Sequence, residues 1–286
     1  MREALYWTRE KNNQTKCRLC PHECLIMPEG KGICGVRENK KGVLYTKNYG
    51  LISSIGIDAI EKKPLYHFKP GTEIYSIGSI GCSFTCSFCQ NYRIAKERPE
   101  HMLVMKPEEV IEKVLEKRLS AIAFTYNEPT VWYEYMYDIA KLAKENNLST
   151  VCVTNGFISL EPLKKLVDLI DAFNVDLKFF EENDYRRLCG GSLGPVLKSI
   201  EFIVGKSHLE VTNLVIEGEN DQMKEINKLA KWLGELSPSI VLHLSRYFPT
   251  YKMTNPPTKI ETLIEAKSTA KRHLKYVYIG NVPGLK

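Results

Sequence analysis

From residue 72 onward the chain alternates short apolar runs rich in β-branched residues with stretches of 3.6-residue periodicity, and this alternation constrains the fold most. The strand-like runs are Glu73–Ile80, Ala121–Tyr126, Thr150–Thr154, Ala172–Leu177, Leu209–Ile216, Ile240–Ser245 and Tyr276–Ile279. Between them lie helical stripes such as Val110, Ile111, Val114 and Leu115, then Trp132, Tyr135, Met136, Ile139 and Leu142. Met223, Ile226, Leu229, Ala230 and Leu233 form a third stripe, and Ile260, Leu263, Ile264 and Ala270 a fourth. Pro107, Pro129 and Pro162 stand near helix starts, where a missing N–H costs little. Repeated strand–helix units predict an α/β fold with a parallel sheet: a partial or complete (β/α) barrel, with a doubly wound sheet as the competitor. Either puts ligands at the C-terminal ends of the strands.

Residues 1–71 have a different texture, with seven glycines, little helical periodicity and four cysteines. We expect a small Cys-rich metal-binding lobe there, with strands near Gly42–Lys47 and Leu51–Ile55, ahead of a core over residues 72–286. A weak core would need a bound metal to hold it.

The chain has nine cysteines, four within residues 17–34 and three within 82–89. Such clustering reads as metal or cluster ligands, not as a disulfide framework. The N-terminal MREALYWTREKNNQTK has no apolar core, and no run of about 18 uncharged apolar residues occurs, so the expected setting is the reducing cytoplasm, away from membranes. A net charge of +6 is spread along the chain without a basic block, so nucleic acid is not indicated.

The segment GCSFTCSFCQN follows a predicted strand and spaces Cys82, Cys86 and Cys89 as Cys-x3-Cys-x2-Cys. Three local thiolates leave a tetrahedral zinc site incomplete. A cubane held by three cysteines keeps one iron open for chemistry. The alternative from another class is a non-catalytic iron–sulfur or zinc module for binding or electron transfer, closed by a distant ligand such as Cys152.

This signature, with Phe88 before its last cysteine, resembles that of the radical S-adenosylmethionine (SAM) superfamily. The resemblance implies a TIM-barrel-like core and a [4Fe–4S] cluster whose open iron chelates SAM. It further implies reductive SAM cleavage, and a 5′-deoxyadenosyl radical that takes hydrogen from a substrate. Phe88 resembles the aromatic residue packed near adenine. TYNEPT matches a Gly-Gly-Glu-Pro segment at Glu128 and Pro129, while Tyr126 and Asn127 depart from the glycines. Glu128 would meet the SAM ammonium, or cap the following helix, or both.

VTNGF, a turn signal in its own right, places Thr154 and Asn155 beside the ribose and carboxylate of SAM by the same resemblance. Asp176 and Lys178 alternate with apolar residues and so share one face of a strand. The pair resembles the Asp-x-Lys of glycyl-radical activating enzymes. His243 matches a histidine of that branch near the ligand pocket, Arg246 is a candidate anion ligand, and Asn281 resembles a last-strand contact near adenine.

Cys17, Cys20, Cys24 and Cys34, with His22 among them, supply a full ligand set for zinc or for an auxiliary [4Fe–4S] cluster, structural or electron-relaying. With this motif added, the chain resembles the radical SAM component of the AmmeMemoRadiSam system, related to pyruvate formate-lyase activating enzyme. That resemblance implies an oxidoreductase served by a low-potential electron donor. It offers a protein as one candidate substrate, and Memo-like and AMMECR-type proteins as partners.

Overall fold

The computed structural model describes residues 1–97 and 99–285. Its centre is an eight-stranded sheet. The strands are β1 (Ser54–Ala59), β2 (Glu73–Gly78), β3 (Ala121–Phe124), β4 (Ser149–Thr154), β5 (Ala172–Asp176), β6 (His208–Val215), β7 (Val241–Arg246) and β8 (Tyr276–Gly280). Strands β2 to β8 are parallel and lie side by side in chain order, and β1 closes one edge antiparallel to β2. No strand order reverses, so the doubly wound arrangement is excluded and the sheet is a partial (β/α) barrel. Because every crossover steps the same way with the usual right hand, the helices collect on one face.

Those helices are α1 (Pro107–Glu116), α2 (Tyr133–Glu145), α3 (Leu160–Val167), α4 (Leu193–Ile203), α5 (Met223–Leu236) and α6 (Ile260–Ala270). Their apolar stripes form the main core with the outer face of the sheet. Two stripe residues, Leu115 and Ile264, are exposed at the edges of their helices.

The inner face is filled differently. Ile74, Ala121, Ala123, Val151 and Ala172 pack there around Ile60 and Leu65. Residues 60–72, which connect β1 to β2, therefore form a floor beneath the curved sheet. Asn174 Nδ2 donates to the Pro64 carbonyl at 2.7 Å, and the Tyr66 and His67 N–H groups donate to Glu210 at 3.0 and 2.8 Å. The first 71 residues thus supply both a core strand and this floor. The predicted strand at Gly42–Lys47 is present as Val43–Thr46, between Arg2–Glu3 and Arg37–Lys40 in a small antiparallel sheet. A second small sheet joins Trp7–Arg9, Thr15–Cys17 and Leu25–Ile26.

This N-terminal layer docks on α2 through a buried ion pair. Arg37 Nη2 donates to both oxygens of Glu134 at 2.8 and 2.9 Å, Arg37 Nη1 donates to the Leu5 carbonyl, and the Leu5 N–H donates to Glu134. A charge pair this deeply buried is tolerable because it is bidentate and tied on both sides to Leu5, although Arg37 Nε has no hydrogen-bond partner. Among the described residues no helix is long and apolar enough to cross a membrane.

Candidate active site

Directly after β2 the chain turns through Gly81 with φ +87°, a backbone state that a side chain would strain. A Cβ at Gly81 would also lie 2.7 Å from the Cys34 carbonyl oxygen, so the turn and the N-terminal layer fit each other closely. The loop that follows is fastened from several sides. The Thr85 N–H donates to the Cys189 carbonyl at 2.7 Å and the Ser87 N–H to the Leu188 carbonyl at 3.0 Å. Lys96 Nζ donates to the Phe84 carbonyl. The Phe84 N–H points at Cys82 Sγ at 3.4 Å, a contact that favours a thiolate.

So held, Cys82, Cys86 and Cys89 all line one cavity of about 360 Å³ at the C-terminal ends of the strands. Phe88, Glu128, Thr154, Asn155, Asp176 and Lys178 line the same cavity, as do Thr212 and Ser245 farther along the sheet. Six candidates from separate stretches of the sequence therefore converge with the cysteine loop.

Glu128 is buried and fully engaged. Its Oε1 accepts from Thr130 N, Thr130 Oγ1 and Thr154 Oγ1 at 3.0, 2.7 and 2.7 Å, and its Oε2 accepts from Asn155 N at 2.7 Å. It caps the short helix Pro129–Trp132, as expected of one of its two roles, and fastens the end of β3 to the end of β4. Burial raises its pKa, and these donors oppose the rise. Asn155 Nδ2 donates to Ser83 Oγ at 3.0 Å and lies 3.8 Å from Cys82 Sγ, so the β4 end also supports the loop.

Asn127 stands where glycine was the comparison. Its Oδ1 accepts from Ser79 N at 2.9 Å and its Nδ2 donates to the Gly81 carbonyl at 3.0 Å, bracing the turn before Cys82. Lys178 Nζ lies 3.0 Å from Asp176 Oδ2 and 5.9 Å from the Phe88 ring centre. Burial works against its charge, but Asp176 and the nearby thiols Cys86 and Cys189 hold its pKa well above the ordinary value.

Three candidates, His243, Arg246 and Asn281, lie apart from the cavity wall. His243 Nε2 is 2.6 Å from Glu210 Oε2 on the inner face of the sheet, where Glu210 also holds the floor segment. Asn281 is exposed and donates to the Arg246 carbonyl at 3.0 Å. Arg246 itself donates to the Thr258 carbonyl at 2.8 Å.

Other residues of the site carry no motif. Lys62 and Lys63 come up from the floor to line the cavity, and Lys63 Nζ pairs with Asp58 Oδ2 at 2.8 Å. Cys189, on a one-turn π-helix at Tyr185–Cys189, lies behind Cys86. That contact and burial push the Cys86 thiol well up. Cys189 does not line the cavity, and Cys152 is buried inside β4. A π-turn beside a functional loop is a recurrent device, but a lone cysteine in the sequence gives no sign of it.

The donor set can be tested against a metal group. Among the described residues no three Cys, His, Asp or Glu side chains converge closely enough to hold a single ion. Three thiols on one cavity wall leave a tetrahedral zinc site one ligand short and suit a cubane with one iron facing the cavity.

Comparison with known proteins agrees with this geometry. The family model described as "Radical SAM superfamily" matches residues 76–232. An uncharacterized protein of Methanocaldococcus jannaschii is 42% identical, over 99% of this chain and 86% of that protein. The pyruvate formate-lyase-activating enzyme of Clostridium pasteurianum is 25% identical, over 58% of this chain and 75% of the relative. Among solved structures, TYW1 with a lysine-pyruvate adduct bound superposes with a TM-score of 0.55 at 19% identity, over 81% of this chain and 87% of that one, which shows a shared fold.

Proposed function

The chain belongs to the radical SAM superfamily, and on that premise we propose that it is an enzyme that binds SAM at a [4Fe–4S] cluster held by Cys82, Cys86 and Cys89. When bound, that pair supplies the chemistry: one electron from the cluster cleaves SAM to methionine and a 5′-deoxyadenosyl radical, which takes hydrogen from the substrate. The observation that carries the reading is that the three thiols share one cavity with Glu128, Asp176 and Lys178. An amino-acid-bearing ligand needs partners of both signs, and these side chains provide them.

Glu128 shapes the end of β4 and places a negative charge near the SAM ammonium. Lys178, paired with Asp176, offers a cation for the carboxylate, and Phe88 and Asn155 line the path toward the adenosyl part. The floor of residues 60–72 excludes water from below, which protects a reactive intermediate. The cavity is at the small end of ligand sites. SAM alone would take up much of it, so the substrate reaches the reacting carbon from the mouth.

That access supports an activating-enzyme-like oxidoreductase acting on a chain segment of a protein, as does the likeness to the Clostridium pasteurianum enzyme. A low-potential donor would supply the electron. Memo-like and AMMECR-type proteins remain the partners proposed from the N-terminal motif. The test is anaerobic reconstitution and reduction, then chromatography for 5′-deoxyadenosine. Zinc without iron at the loop, and no SAM affinity, would favour the non-catalytic module instead.

A further inference from the structure

Lys62 and Lys63 line the cavity, yet the SAM contacts proposed above leave them without a role. Both stand on one carboxylate. Lys63 Nζ donates to Asp58 Oδ2 at 2.8 Å, and Lys62 Nζ donates to Asp58 Oδ1 at 3.2 Å. Two ammonium groups are thus held within the width of one carboxylate, whose single negative charge offsets one of them. The other charged side chains of the cavity wall are already engaged: Glu128 accepts from Thr130, Thr154 and Asn155, and Asp176 pairs with Lys178. The floor side of the cavity therefore carries a surplus positive charge.

That surplus reaches into the protein. The side chain of Lys62 is 71% exposed, but that of Lys63 only 5%. An ammonium group carries three N–H donors, and among the described residues Asp58 is the one acceptor at Lys63 Nζ. A buried cation is costly unless it is paired and hydrogen-bonded. The donors that Asp58 leaves over favour an oxyanion in the cavity.

Tyr126 is the second observation. It lines the same cavity, its ring centre lies 4.8 Å from Lys63 Nζ, and its hydroxyl donates to Asp58 Oδ2 at 3.3 Å. It does so from φ +73°, a backbone state that costs a tyrosine free energy and persists only where the surroundings enforce it. Two glycines make the room: a Cβ at Gly56 would lie 2.5 Å from the Tyr126 hydroxyl, and one at Gly78 would lie 3.0 Å from Tyr126 Cβ. Asn91, beside the cysteine loop, donates to the Tyr126 carbonyl at 2.6 Å. Asp58 thus accepts from Lys62, Lys63 and Tyr126 together, and strained backbone is spent on holding the buried lysine in place.

We propose that Lys62 and Lys63 form an anion subsite for the substrate, in which a carboxylate or phosphate binds the two ammonium groups while Asp58 and Tyr126 position Lys63. The subsite rests on the function proposed above and narrows it: the segment that gives up hydrogen carries an oxyanion.

The experiment uses the full chain, reconstituted anaerobically with iron and sulfide. The probe is pyridoxal 5′-phosphate, whose aldehyde condenses with a lysine amine and whose phosphate seeks a neighbouring cation. Cyanoborohydride fixes the adduct, and peptide mass spectrometry locates it. Lys62 should be labelled several-fold faster than Lys113 and Lys164, surface lysines that also pair with one carboxylate each. Lys63→Met should bring Lys62 down to the rate of Lys113, and Lys63→Arg, which keeps the charge, should leave it fast. Inorganic phosphate or acetate in excess should protect Lys62 and leave Lys113 unchanged. Protection by phosphate alone assigns a phosphate to the substrate, and protection by acetate assigns a carboxylate. If Lys62 reacts no faster than Lys113, if Lys63→Met leaves its rate unchanged, or if neither anion protects it, the subsite is overturned, even where the wild type forms 5′-deoxyadenosine. Selective, protectable labelling in a protein that forms no 5′-deoxyadenosine would uphold the anion site and overturn the radical reading.

Discussion

The carboxylate of Glu128 accepts the backbone N–H of Asn155 at 2.7 Å, so the ends of β3 and β4 are held at a fixed spacing in front of the cysteine loop. Glu128→Ala leaves that N–H, Thr130 N and two threonine hydroxyls without their acceptor. Unfolding by denaturant should show a loss of about 2–4 kcal/mol. SAM affinity, measured by equilibrium dialysis, should fall at least tenfold. Glu128→Gln keeps an acceptor but loses the charge, so it should recover part of the stability and little of the affinity.

Lys178 and Asp176 form a partly buried pair at the cavity wall. Lys178→Met should weaken SAM binding by about 1.5–3 kcal/mol, the range for a hydrogen bond to a charged group. Circular dichroism should show the fold retained, because the pair lies beyond the packed core. Unchanged affinity would remove Lys178 from the binding set.

Cys189 lies behind Cys86, outside the cavity. Cys189→Ala should keep its iron and its SAM cleavage, and should lower the potential of the cluster, since it removes an S–H donor next to a ligating sulfur. A redox titration followed by paramagnetic resonance reads the shift. Loss of the cluster would instead make Cys189 a ligand.

Glu210 is held down to about 2 from 4.5: burial alone would raise it, but His208, His243 and the backbone donors Tyr66 and His67 outweigh that. A depressed carboxylate stabilises the fold above its unfolded pKa, and that contribution is lost as pH falls through the folded one. The window is therefore roughly pH 4.5 down to 2, and the contribution above it is on the order of 3 kcal/mol. Denaturation of wild type and Glu210→Gln should differ most near pH 7 and converge toward pH 2.

The sequence made the parallel strands legible because each is a buried apolar run between amphipathic helices. It also marked most of the cavity wall, since Asp176 and Lys178 alternate on one face and Glu128 and Asn155 follow strand ends. The expected strand at Leu51–Ile55 divides into a short strand at Leu51–Ile52 and the start of β1, whose half-exposed, Gly-containing sequence SIGIDA hid its full extent because its pairing with β2 is a tertiary contact. The floor at residues 60–72, with Lys62 and Lys63, has no periodicity to announce it. His243 looked like a ligand because its partner Glu210 is 33 residues away, on the neighbouring strand. A lone polar residue on an inner face is ambiguous until that partner is known.

The central claim is tested most directly by anaerobic reconstitution of the full chain, reduction with dithionite in the presence of SAM, and measurement of 5′-deoxyadenosine. The account predicts its formation by wild type and its loss in Cys82→Ala, Cys86→Ala and Cys89→Ala. A wild-type protein with four irons bound at that loop and no 5′-deoxyadenosine formed would contradict it.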